Sequence, residues 1–185
     1  MKNLIIALSL VIGSLTVEAQ ISQVGAVVAG GSGCVGGNVK TSVTSTNIYV
    51  AYPAFQFVPD SRSILARANC SLAIPVSVPQ GYRWVASAVT TGLARLQGND
   101  RVKASQEIFT AGSVDTPQVA TLTSANKLFS IGRLNSAASS VQTACGQDAI
   151  LRLNVSAVLQ KTAATSLSRL TLTKSVLNYQ LVPCQ

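Results

Sequence analysis

Leu151-Arg152-Leu153-Asn154-Val155-Ser156-Ala157-Val158-Leu159-Gln160 alternates in a way that decides the fold. Leu151, Leu153, Val155, Ala157 and Leu159 share one parity; Arg152, Asn154, Ser156, Val158 and Gln160 share the other. Successive side chains of an extended strand point to opposite faces. The stretch therefore reads as an antiparallel strand with one face buried and one in water.

The same period recurs on either side of it. Ile48, Val50 and Tyr52 keep step, as do Leu72, Ile74, Val76 and Val78, then Leu170 with Leu172, and Tyr179 with Leu181. Turn-forming residues separate these runs: Pro53, Pro59-Asp60, Pro79-Gln80-Gly81, Gly98-Asn99-Asp100, Gly112, Pro117 and Gly132. Pro75 inside the 71–78 run predicts an edge strand or a bulge, because proline cannot donate to a ladder. Ser61–Ala68 reads as one or two helical turns, and no long amphipathic helix is evident. Many short strands with turns between them predict an all-β, two-layer antiparallel β-sandwich, jelly-roll-like.

The 185 residues suffice for one ordinary domain. Lys2 precedes the uncharged run Leu4–Leu15, and Val17-Glu18-Ala19 offers a small residue for cleavage, so residues 1–19 read as a secretory signal. Residues 20–33 are a glycine-rich lead-in, less a packed element than an approach to the first cysteine. Residues 34–185 form the single secreted sandwich domain. The expected location is extracellular or periplasmic, with no membrane span in the mature chain.

Cysteine usage agrees with export. Cys34, Cys70, Cys145 and Cys184 make an even set, which in an exported chain predicts two disulfides. Three connectivities are open, and the one in chain order, Cys34–Cys70 with Cys145–Cys184, is favoured. The chain has no histidine, which removes Cys/His metal sites as well as Ser-His-Asp and Cys-His catalysis. No metal, cofactor or catalytic residue is expected.

Only 11% of residues are charged, yet the balance is +8; without Lys2 and Glu18 the mature chain keeps 13 basic and 5 acidic side chains. Such a surplus favours anionic partners, acidic polysaccharide or an envelope surface among them. The basic residues run from Lys40 to Lys174 without a cluster in sequence, and no specific nucleic-acid recognition is evident. The five acids are Asp60, Asp100, Glu107, Asp115 and Asp148. All but Glu107 sit among turn residues, where solvation is the expected role; a facing pair would instead suggest a glycosidase.

Three further motifs read as structural. Gly31-Ser32-Gly33-Cys34-Val35-Gly36 spells G-x-G-x-x-G, but strand-preferring residues follow it where a dinucleotide site needs a helix. Tyr49, Tyr52, Phe55, Phe57, Tyr82 and Trp84 read as core rather than stacking platforms. Asn69-Cys70-Ser71 and Asn154-Val155-Ser156 match the glycosylation sequon, which matters only in a eukaryotic secretory pathway.

Taken in order, Gly31-Ser32-Gly33-Cys34, Arg67-Ala68-Asn69-Cys70-Ser71-Leu72, Pro79-Gln80-Gly81-Tyr82 and Cys145-Gly146, with a penultimate Cys184, resemble the secreted domain-of-unknown-function family numbered 4360. The resemblance implies export and assigns no catalytic residue. The function expected is a secreted non-catalytic module that binds an anionic extracellular or envelope surface. A polysaccharide-active hydrolase with a carboxylate pair and a secreted inhibitor or host-interaction protein are the alternatives.

Overall fold

The computed structural model describes residues 24–57, 62–113, 117–123, 126–132, 134 and 140–185; the expected signal segment, Asp60 and Asp115 lie outside them. The decisive stretch is β11, Ala149–Gln160, paired antiparallel on one side with β5, Leu65–Val76, and on the other with β7, Arg101–Thr110. β8, Gln118–Leu122, extends this sheet beyond β7, and β1, Val28–Gly30, covers β5. The first sheet thus runs β1-β5-β11-β7-β8.

The second sheet is built on β6, Tyr82–Arg95, and β12, Arg169–Pro183. β3, Asn47–Ala51, and β2, Lys40–Val43, extend it past β12, and β4, Gln56–Phe57, also pairs with β12. β9, Lys127–Gly132, and β10, Ser140–Gln142, share the far side of β6. Every strand pairing among the described residues is antiparallel, as the alternation predicts.

The parity reading holds through the core. Leu151, Leu153, Val155, Ala157 and Leu159 are buried, as are Leu72, Ile74 and Val76, and they meet Ile48, Val50, Trp84, Leu170, Leu172 and Leu177 of the opposite sheet. Trp84 stacks on Tyr179 with ring centroids 4.1 Å apart. One irregularity was not evident from the period. The β6–β12 register shifts between Leu172 and Lys174, and the extra residue moves the buried parity of β12 from Leu170 and Leu172 to Ser175, Leu177 and Tyr179. A bulge of this kind keeps both halves of a long strand apolar on the inner side.

Three expectations need correction. Leu65–Ala68 is strand rather than helix, because it continues the ladder opposite Val158, Leu159 and Gln160. The lead-in is partly packed: Val28–Gly30 pairs with Ser71–Ala73, and Val24 bridges Val76. β5 is consequently not the outermost strand. Pro75 is accommodated because its carbonyl accepts from the Gly25 N–H at 2.8 Å. The N and O of one strand residue point the same way, so the missing N–H falls on the short β1 side and spares the β11 ladder.

The disulfides are Cys34–Cys70, which ties the crossing from β1 to β2 onto β5, and Cys145–Cys184, which joins the approach to β11 to the chain end. Their sequence separations of 36 and 39 remove closure entropy from the unfolded chain. A Cys34→Ser/Cys70→Ser double variant should lose about 3–4 kcal/mol of unfolding free energy. Urea titration would register it as a lower midpoint, with a slope equal to or steeper than that of the wild type because the unlinked chain unfolds to a more open state.

Candidate functional site

Among the described residues, the connections 96–100 and 161–168 cross between the sheets at one end of the sandwich. They are knitted together by Asp100. Its Oδ1 accepts from the Thr162 N–H at 2.6 Å and the Thr162 hydroxyl at 2.8 Å; its Oδ2 accepts from Ser168 at 2.6 Å and from Ser166. The Leu167 N–H donates to Gln97 Oε1 at 2.8 Å, and the Gln97 N–H to Ser168 Oγ at 2.7 Å. Asp100 was expected to be a solvated turn residue. It is fully buried instead, because the two arches supply enough donors to replace its water.

Burial alone would raise the Asp100 pKa, but the hydrogen bonds from Ser166, Ser168 and Thr162 outweigh it and hold the carboxyl at about 2. The donors to this buried anion are neutral hydroxyls and a backbone N–H.

Cations surround the same end. Arg95 of β6 lies directly opposite Arg169 of β12, and Lys127 of β9 is opposite Ala94, the neighbour of Arg95. On the other sheet Arg101 opens β7 opposite Gln160, and Lys103, Val158 and Arg67 form a cross-strand row. Arg67, Arg95, Arg101, Lys103, Lys127 and Arg169 are all exposed. Among the described residues Asp100 is the acid at this end. Sequence reading missed the cluster because its members are spread over more than 100 positions, and only strand order and register bring them together.

The remaining candidates fall elsewhere. Glu107 faces outward on β7, where its Oε2 accepts from Asn154 Nδ2 at 3.3 Å. Asp148 lies just before β11, at the opposite end of the sandwich. There the Val78 N–H at 2.8 Å and then the Ser77 hydroxyl at 2.9 Å hold its carboxyl below the ordinary range. The length of β11 puts Asp100 and Asp148 about 35–40 Å apart, and the six positions from Asp148 to Asn154 put Glu107 about 20 Å from Asp148. No two of the described carboxylates reach the ~5–9.5 Å of a glycosidase pair. No group of three or more His, Cys, Asp or Glu among the described residues could hold a metal.

The G-x-G-x-x-G segment serves packing. Gly31 has φ 134° against the Asn69 carbonyl, and a Cβ on Gly33 would overlap the Phe55 ring. A 3-10 turn, Val35–Gly37, follows rather than a helix. Tyr52, Phe55 and Trp84 are core as expected, whereas Tyr49 is exposed on β3. Both sequon asparagines lie on the outer face of paired strands; Asn69 accepts from Ser32 and Asn154 from Ser71. An open depression of about 630 Å³ beside Asp148 is lined by Pro75, Thr110, Thr143, Gln147 and Ile150. Its one carboxylate is already bonded to Ser77 and Val78. No helix among the described residues is long and apolar enough to cross a membrane.

Asp100→Asn should cost about 2–3 kcal/mol at neutral pH, since bonds to a charged acceptor are the stronger kind. The folded pKa of about 2 lies below the unfolded carboxyl value of about 3.9. The stabilisation is therefore complete above about pH 4 and is lost as pH falls toward 2. Thermal melts of wild type and variant across this range should converge at the acid end.

The solved carbohydrate-binding module TmCBM61, in complex with beta-1,4-galactotriose, is 9% identical, with 85% of this chain and 88% of that one covered at a TM-score of 0.28. The family 11 carbohydrate-binding module of the cellulosomal cellulase Lic26A-Cel5E of Clostridium thermocellum is 13% identical, with 88% and 86% covered at a TM-score of 0.19. No curated protein matches the sequence. The match that spans nearly the whole chain is a family model covering residues 20–184, and by it the chain belongs to the domain of unknown function family DUF4360.

Proposed function

We propose that this protein is a secreted, non-catalytic module that docks on an anionic extracellular or envelope surface through the basic end of its sandwich. The observation that carries the reading is the direct cross-strand pairing of Arg95 with Arg169, with Lys127 on the next strand and Arg101 at the same end of the other sheet. Like charges directly opposite in a sheet destabilise it. Such an arrangement is compensated when an anion lies across the pair. The nearby Asp100 does not fill that role, because its oxygens are engaged by Thr162, Ser166 and Ser168.

Two disulfides fit a protein working in an oxidising compartment. The first nineteen residues are the leader that would take it there. Contacts of this kind are screened by salt over a Debye length of about 10 Å at 0.1 M. They steer encounter and strengthen with the charge density of the partner.

The mature, oxidised protein should bind an immobilised acidic polysaccharide such as polygalacturonate, with affinity falling about tenfold or more between 50 and 500 mM NaCl. Arg95→Glu/Arg169→Glu should abolish most of that binding. Lys40→Glu/Lys174→Glu, an equal change of charge beside Ala51 on the second sheet, should leave most of it. Equal losses in the two variants would remove the basic end from the reading, and salt-insensitive binding would remove the electrostatics.

A further inference from the structure

The same end of the sandwich exposes aliphatic side chains to water. Leu128 is 76% exposed and Leu167 73%, with Ile64 at 55% and Leu65 at 44%. Topology puts all four at this end, Leu65 on the outer face of the first sheet and Leu128 on that of the second. Ile64 precedes β5 and its carbonyl accepts from the Lys161 N–H; Leu65 is opposite Gln160 on β11. Leu167 sits on the 161–168 arch, where its N–H is fixed by Gln97. Leu128 follows Lys127 on β9, opposite Leu93. The other exposed isoleucine and leucine among the described residues are Ile150 and Leu134, outside this cluster.

Isolated apolar residues on a surface are ordinary, but four exposed aliphatic chains at the same end as six exposed cations are a specific combination. A soluble polyanion uses the cations and has no place for the leucines. A bilayer with anionic headgroups uses both: phosphates meet Arg and Lys, while Leu and Ile enter the boundary with the acyl chains. Neither contact alone gives stable attachment, and the two together do. The arches suit this role mechanically. Asp100 and Gln97 fix the backbone that presents Leu167 and Arg169, so little order has to be gained on docking.

We infer that the basic end is a membrane-docking tip, in which Leu128, Leu167, Ile64 and Leu65 insert among anionic phospholipids held by Arg95, Arg101, Lys127 and Arg169. The inference rests on the proposed anionic-surface reading and narrows it to a lipid surface.

The test uses the mature, oxidised protein and large unilamellar vesicles of phosphatidylcholine with 30% phosphatidylglycerol. Pure phosphatidylcholine vesicles and soluble polygalacturonate are run beside them. The protein should co-sediment with the anionic vesicles and not with the neutral ones. Leu128→Ser/Leu167→Ser, both at exposed positions, should keep the wild-type melting temperature and its polygalacturonate affinity. Its partition onto anionic vesicles should fall about tenfold or more.

If the leucine variant partitions like wild type, or polygalacturonate binds while anionic vesicles do not, the lipid inference is overturned and the anionic-surface reading stands. If neither vesicles nor polygalacturonate bind at 50 mM NaCl, both fall together.

Discussion

A single buried carboxylate organises the end of the sandwich on which the proposed function depends. Asp100 closes the arch from β6 to β7 and takes its hydrogen bonds from the arch between β11 and β12, so one anion joins two crossings that share no strand. Both sheets are thereby fixed at the point where Arg95, Arg101 and Arg169 leave their strands. An ionised group out of water is tolerated only when its lone pairs are filled, and here hydroxyls and a backbone N–H fill them. The strand-end cations Arg95, Arg101 and Arg169 stay exposed, while Lys161, beside Thr162, is itself buried.

A second polar device lies inside the core. Tyr52 and Ser175 share a hydrogen bond of 2.8 Å, Ser175 and Thr90 one of 2.5 Å, and Thr90 donates to Gln106, whose Nε2 reaches the Ala88 carbonyl at 2.9 Å. This chain links β6 and β12 of one sheet to β7 of the other through otherwise apolar surroundings. Burial drives the Tyr52 phenol far above its ordinary pKa, against a smaller opposing effect from the Ser175 hydrogen bond, and keeps it neutral. Apolar packing tolerates small slides between sheets; a satisfied polar chain does not, because a slide would strand its donors. It defines how the layers sit on each other, and Asp100 defines how one end is closed.

The low overall charge gives the basic end its meaning. With so few ionised residues, the polar part of the surface is mainly Ser, Thr, Asn and Gln, as in the Ser105–Ser156 and Ser71–Asn154 contacts on the outer face of the first sheet. A cluster of six exposed cations is therefore a concentrated feature against a neutral background. The opposite end differs in chemistry, with a bonded Asp148, a disulfide and the open depression beside Thr143. The molecule is polar along its long axis, which suits a body that meets a surface end-on.

The strands, their buried faces and the two-layer architecture were legible in the chain, because side-chain alternation is a local property that burial enforces residue by residue. Leu151–Gln160 needed no partner to declare its inner face. An even set of cysteines likewise announced two disulfides, and the structure pairs them in chain order. The bulge after Leu172, the covering of β5 by Val28–Gly30 and the place of Pro75 depended on which strands became neighbours, which no local pattern encodes. Asp100 looked like any turn aspartate, since the hydroxyls that bury it come from residues more than 60 positions away. The gathering of Arg95, Arg101, Lys127 and Arg169 beside Leu128 and Leu167 was likewise decided only when register aligned the strand ends, because charge acts through space and the chain orders it along a line.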